Sequence, residues 1–340
     1  FIIMLKRFSI IFVLFIVLVG GLALFFLMNQ RLGSSPDLTQ PRYGITFSTV
    51  YTKQLGLNVK ETYQALVEDL EVRAVRLPVY WSEIEKSQNQ FDWQEFDDLV
   101  SYSEDHDVKL TLVVGTKVPR WPECYIPDWA EGLDPKEQQS QALQMITEVV
   151  NRYKGFSVIE RWQVDNEPFF PFGVCVPIKL AEFQERVDLV RSLDPARPIQ
   201  VTVSGELASW ENEGRAADIL GISMYRLTWN DLFGYFMFPL TPEYYYARAQ
   251  LAQRFVDNVI VTELQAEPWF PEPIESRSLS QWYQAFDEDM FKANLKFVED
   301  SNLPEAYLWG AEWWYLLKKN GDERLWNVAE EVFGGSSKVE

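Results

Sequence analysis

From residue 43 onward, short apolar or alternating runs take turns with longer stretches whose apolar residues recur every three and four positions. The short runs are YGITF at 43, AVRLPV at 74, KLTLVVG at 109, RWQVD at 161, IQVTVS at 199, ILGISMY at 219, VIVTE at 259 and AYLWG at 306. Between them lie amphipathic stretches such as NVKETYQALVEDLE, QEFDDLVSYSEDH, EQQSQALQMITEVVNRYKG, IKLAEFQERVDLVRSL, TPEYYYARAQLAQRFV and SLSQWYQAFDEDMFKANLKFVED. Period two for strands and about 3.6 for helices, repeated in this order, is the pattern of βα units. Eight such strands predict one α/β domain, a (β/α)8 TIM barrel, over residues 43–340. The interval between the fifth and sixth strands is the thinnest, with only ASWENEGRAAD available for a helix.

The N-terminus follows a different pattern. From Phe8 to Met28 no residue is charged, and a helix rising about 1.5 Å per residue over that run would cover the roughly 30 Å of a bilayer core. Lys6 and Arg7 precede the run, which puts the N-terminus on the cytoplasmic side and the barrel outside. No A-x-A pattern follows it, so the expectation is an uncleaved anchor over residues 1–32 and a Gly-, Ser- and Pro-containing tether over 33–42. The protein is expected to be single-pass, with its barrel extracytoplasmic.

Composition narrows the partners. The formal charge of −19 excludes nucleic acid or an anionic lipid surface as the main ligand of the barrel, since both need a positive surface. Trp, Tyr and Phe number 13, 15 and 23, more than packing alone needs, and flat rings beyond the core are platforms for apolar ligand faces. No His/Cys cluster points to zinc and no Gly-rich loop to a nucleotide, so neither metal nor cofactor is expected. Cys124 and Cys175 follow neighbouring strands and emerge at the same face. In an exported domain they can pair, the alternative being two separate thiols.

Candidate chemistry sits at strand ends. In a (β/α)8 barrel the reacting groups lie at the C-terminal ends of the strands. Glu167, in VDNEP, follows the fourth strand, and Glu263, in VTELQAEPW, closes the seventh. Two carboxylates facing each other across a barrel mouth are what glycoside hydrolysis needs: one protonates the leaving oxygen, and the other attacks the anomeric carbon or activates water.

These two motifs resemble the catalytic glutamates of the clan A glycoside hydrolases, retaining barrel enzymes that include cellulases, mannanases and β-galactosidases. The resemblance implies Glu167 as acid/base and Glu263 as nucleophile, acting on β-linked oligo- or polysaccharides with retention. It further implies that Arg76, in VRLPVYW, and Tyr225, in SMYR, hold the nucleophile, that Asn166 binds the sugar 2-hydroxyl, and that Trp309 floors the sugar site. Trp313, Trp121, Trp129 and Trp269 stand in loops after strands eight, three and seven as further candidate platforms, with core packing as the alternative for each. Glu206, Glu267 and Glu312 are rival carboxylates ranked as supporting groups. The sequence departs from the clan at the third strand: the one histidine, His106, falls in a helix pattern away from the mouth. GTKVPRWPE occupies the third-strand end, where Thr116 and Lys117 are the residues expected to replace a histidine's sugar contacts. The competing readings are a catalytically silent, surface-displayed carbohydrate-binding barrel and a structural envelope protein that uses the barrel as a scaffold.

Overall fold

The computed structural model describes residue 20 and residues 40–232 and 234–336. The first six strands are β1 (Arg42–Thr46), β2 (Ala74–Pro78), β3 (Lys109–Val114), β4 (Ile159–Val164), β5 (Ile199–Val203) and β6 (Ile219–Met224). A hairpin, β7 (Leu227–Asn230) and β8 (Gly234–Met237), then interrupts the alternation before β9 (Asn258–Gln265) and β10 (Glu305–Trp309). The barrel closes in the order β1-β10-β9-β6-β5-β4-β3-β2, all pairs parallel, with β7 and β8 forming a separate antiparallel ribbon. Every expected strand is present within two residues of its expected start. The hairpin is the addition.

Local chemistry explains where the helices begin. Helix Val59–Glu68 starts after Asn58, whose side chain accepts from the amide of Glu61. Helix Pro135–Tyr153 starts after Asp134, which accepts from the amides of Lys136 and Glu137, while Pro135 occupies the first turn, where a missing N–H costs nothing. The long pattern beginning at residue 278 is two helices, Leu279–Ala285 and Glu288–Asp300. Asp287 between them is extended and accepts from the amide of Met290, which starts the second helix at an angle set by its own cap. The β5–β6 connection holds only the four-residue helix Glu211–Gly214, as the short interval implied.

Strands β2, β5 and β6 are buried along their whole length, which is why they read as continuous rather than alternating runs. The core runs from the barrel into the helical ring, with Trp81, Trp162, Trp282, Trp313 and Trp314 fully buried. Among the described residues no helix is long and apolar enough to cross a membrane. The span expected over residues 8–28 lies, apart from residue 20, outside the described residues.

Candidate active site

The end of β4 is built around an aspartate. Past Val164 the chain enters the left-handed region at Asp165 (φ 51°) and again at Glu167 (φ 45°), a conformation that costs a non-glycine residue energy and persists only where neighbours enforce it. Asp165 is fully buried and accepts from the amides of Thr116 (2.9 Å) and Lys117 (3.1 Å) and from the Arg186 guanidinium (2.9 Å). Gly115, at φ 140°, makes room for it: a Cβ there would stand 2.2 Å from the Asp165 carboxylate. Thr202 Oγ1 then accepts from the Glu167 amide at 2.9 Å, and Ser223 Oγ donates to Glu167 Oε1 at 2.9 Å. The Glu167 carboxyl is thus fixed at the mouth, 6% exposed.

Glu263 comes from inside β9, where Ser223 of β6 is its register partner. Arg76 Nη1 donates to its Oε1 at 3.0 Å and the Tyr225 hydroxyl donates to its Oε2 at 3.2 Å. Arg76 is fully buried and also donates to Gln163 Oε1 (2.7 Å) and Asn166 Oδ1 (2.6 Å). One guanidinium therefore ties the barrel interior to both candidate carboxylate strands. The fork geometry makes arginine the fitting residue here.

Electrostatics separate the two glutamates. Burial first, then the negative charges of Glu263 and Glu123, push the Glu167 carboxyl well above the ordinary carboxylate range. Glu263 has the opposite surroundings, with both oxygens accepting hydrogen bonds and a guanidinium against one of them. The pair therefore consists of a carboxyl whose surroundings favour its protonated form and a second glutamate whose two oxygens both accept hydrogen bonds, an arrangement that an acid and a nucleophile can use.

Several expectations change. Thr116 and Lys117 do not face a ligand. Thr116 accepts from Arg186, and the Lys117 ammonium donates to the carbonyls of Glu167 (2.9 Å) and Phe170 (2.7 Å), so both brace the loops. Asn166 is fully buried, its oxygen accepts from Arg76 and from Thr202 Oγ1 (3.0 Å), and its Nδ2 donates to Glu123 Oε1 (3.5 Å), so most of its hydrogen-bonding capacity is spent inside the protein. Trp313 has no exposed surface and packs edge-on against Phe270, so it is core and offers a ligand nothing. Trp129 donates to the Glu85 carbonyl and packs on Trp81, which makes it structural too. Trp309 is 8% exposed, and the Arg120 guanidinium covers its ring at 4.1 Å, so the floor is narrower than the resemblance implied. His106 is exposed and stacked on Tyr102.

Other aromatics do line the mouth. Trp121 (59% exposed), Phe172, Trp269, Tyr225 and Trp309 follow one another with ring centroids 5.9, 5.9, 5.5 and 6.4 Å apart. This wall leads from the rim to the hydroxyl that touches Glu263. The rival carboxylates have structural duties: Glu267 and Glu312 both bind the buried Arg120, the second at 3.1 Å, and Glu312 also accepts from the Ser48 amide. Glu206 accepts from the Tyr225 amide (3.0 Å) and the Tyr245 hydroxyl (2.7 Å) and so places Tyr225, while burial raises it to about 7.

Three participants were not singled out from sequence: Glu123, Arg120 and Ser223. Burial raises Glu123 to about 7 against the pull of Lys117, and its Oε1 stands 3.5 Å from Asn166 Nδ2. Cys124 beside it is bonded to Cys175, joining the loops after β3 and β4. The one advance signal for this cluster was the WPEC run itself, since a carboxylate next to a cross-linking cysteine is held wherever the cross-link holds the loop.

Residues 39–185 match the family model for glycosyl hydrolase family 10. The likeness is to the barrel glycoside hydrolases of clan A. The matched segment carries Arg76, Asn166 and Glu167 and ends before Glu263. Among solved structures, the β-galactosidase from the Antarctic haloarchaeon Halorubrum lacusprofundi superposes with a TM-score of 0.58 at 13% identity, over 88% of this chain and 58% of that one. Xylanase 10B from Thermotoga petrophila, solved with xylobiose, gives 0.56 at 14% identity over 82% of this chain and 87% of that one. The exo-β-1,4-mannosidase Op5Man5 from an Opitutaceae bacterium gives 0.52 at 13% identity, over 79% and 51%. At such identities the likeness establishes the fold. The chain spans 58% of the length of the haloarchaeal β-galactosidase and 59% of the one from the psychrophilic Marinomonas ef1.

Proposed function

We propose that this chain is a retaining β-glycoside hydrolase in which Glu167 is the acid/base and Glu263 the nucleophile. One observation carries the reading: a buried, proton-retaining Glu167 shares the barrel mouth with a Glu263 whose two oxygens are held by Arg76 and Tyr225. In the first step Glu263 attacks the anomeric carbon while Glu167 gives its proton to the departing oxygen, leaving a glycosyl-enzyme. As the nucleophile's charge is consumed, the share of the upward push on Glu167 that comes from Glu263 disappears, while burial and Glu123 remain, so Glu167 becomes better able to take a proton from water in the second step. A purely carbohydrate-binding barrel would need the aromatic wall and would gain nothing from an arginine and a tyrosine trained on one carboxylate.

The substrate proposed is a neutral β-linked oligo- or polysaccharide, with β-1,4-linked xylo-oligosaccharides the first to try, on the strength of the family 10 match together with the likeness to xylanases. Membrane anchoring through residues 8–28, with the barrel outside the cytoplasm, belongs to the same proposal. It is supported by the uncharged run, by Lys6 and Arg7 before it, and by the Cys124–Cys175 bond, which suits an oxidising compartment.

The test of activity is a screen of aryl β-glycosides and β-linked polysaccharides, followed by Glu263→Ala and Glu167→Ala. Glu263→Ala should lose turnover and recover it with azide as a product of inverted configuration. Glu167→Ala should spare substrates whose leaving groups need no proton. Wild-type activity in both variants would remove the assignment, and protection of the barrel from protease added to spheroplasts, lost on lysis, would remove the topology, which places the barrel at the cell surface or in a periplasm.

A further inference from the structure

The loops after β3 and β4 are laced together directly behind Glu167. Lys117 is 2% exposed; its ammonium donates to the carbonyls of Glu167 and Phe170 and forms an ion pair with Glu123 Oε2 at 3.3 Å. Its main chain is engaged as well, with its amide donating to Asp165 and its carbonyl accepting from the Asn166 amide at 2.6 Å. Glu123 is 5% exposed and sits at φ 68°, beside the Cys124 that bonds Cys175. Burying an ammonium costs several kcal/mol unless it finds its partners, and here its hydrogen-bond acceptors are two carbonyls of the segment that carries Glu167.

We propose that Lys117, counter-charged by Glu123, is a positioning residue for the acid/base. It holds the carbonyl of Glu167 and so the left-handed backbone from which that carboxyl reaches Ser223 and the cleft. The assignment rests on the glycosidase reading and deepens it. Neither side chain touches the reacting atoms. The charged and titratable groups facing the Glu167 carboxyl are Glu263 from β9, Tyr225 after β6, and Glu123 and Lys117 from the loop after β3, with Arg76 behind Glu263. Glu123 and Lys117 act on it with opposite sign, so removing one leaves the other uncompensated.

Two variants of the full chain, disulfide intact by mass, test this. Lys117→Met should lower kcat/KM on the order of 10²-fold for a substrate with a poor leaving group, the scale set by about 1 Å of misplacement. It should leave a substrate with a dinitrophenyl leaving group nearly unchanged, because that substrate needs no proton from Glu167. A loss equal for both substrates is the mark of a merely structural role and overturns the assignment. Glu123→Gln keeps the shape and removes the negative charge, so the basic limb of the kcat/KM profile should move to lower pH. An unmoved limb overturns the assignment, and this variant decides alone should Lys117→Met fail to fold. Absence of turnover by the wild-type chain on every glycoside would instead sink the glycosidase reading, whereas an active wild type with flat responses sinks the Lys117 assignment only.

Discussion

Removing the charge of Arg76 tests whether the barrel interior is organised around the Arg76–Glu263 pair. The ion pair is 3.0 Å long, with 0% and 7% side-chain exposure, so solvent screening reduces it little. Arg76→Met leaves the other acceptors served: Gln163 Oε1 keeps Gln200 Nε2 at 2.8 Å, and Asn166 Oδ1 keeps Thr202 at 3.0 Å. The loss therefore concentrates on Glu263, which retains only Tyr225. Leaving a buried charge without its counter-ion costs about 3–5 kcal/mol. Glu263→Gln leaves the guanidinium with four neutral acceptors, Gln163 Oε1, Asn166 Oδ1, Thr46 Oγ1 and the Thr262 carbonyl, and should cost less, about 1–3 kcal/mol. The double variant buries no unpaired charge, so its cost should fall short of the sum by about 1–3 kcal/mol. Urea unfolding followed by tryptophan fluorescence and circular dichroism measures all four proteins, coincident transitions licensing the free energies. Additivity within about 0.5 kcal/mol would refute the reasoning, since it would mean the two residues do not share one interaction.

Other outcomes follow from the same geometry. Glu206 has a raised affinity for its proton in the folded chain, from an ordinary 4.5 to about 7, so its contribution to stability is fully present below pH 4.5 and is lost as pH rises towards 7. Glu206→Gln, which still accepts from Tyr225 and Tyr245, should gain on the wild type across that window by at most ~3 kcal/mol; melting curves that stay parallel from pH 4.5 to 8 would contradict this. Gly115→Ala forces a Cβ to within 2.2 Å of the Asp165 carboxylate at a positive φ, and a loss of about 2–4 kcal/mol should appear in the unfolding midpoint. Trp313→Ala should cost about 3–5 kcal/mol of stability. Trp121→Ala should leave stability within about 0.5 kcal/mol and raise KM for oligosaccharides selectively, a contrast that calorimetry and kinetics together would check.

The barrel was legible in the sequence because its signal is local. Each strand is a short apolar run ended by a turn, and several helices carry their own caps, as at Asn58 and Asp134. The placement of Glu167 and Glu263 at the barrel mouth was legible because strand ends are points the architecture itself defines. What lay hidden depends on contacts between loops far apart in sequence. The β7–β8 ribbon was not among the expected strands: LTWN and GYFM are apolar enough, but each is only four residues long and buries little. Trp313 and Trp309 are both aromatic residues near the eighth strand, and only three-dimensional packing tells that the first is core and that Arg120 covers the second. Lys117 stands where a ligand contact was expected, yet a lysine's reach let it turn inward to two carbonyls and Glu123. The Cys124–Cys175 bond was expected as one alternative, because adjacency of β3 and β4 in the barrel brings the loops together, and the structure makes it.

Trapping the intermediate tests the central claim most directly. The full chain would be incubated with a 2-deoxy-2-fluoro β-glycoside bearing a good leaving group, matched to whichever sugar the screen identifies, then digested and mapped by mass. A glycosyl group carried by Glu263, with wild-type products released in the retained configuration by NMR, is the result predicted. A label on Glu267, Glu312 or Glu206, or products of inverted configuration from the wild type, would contradict it.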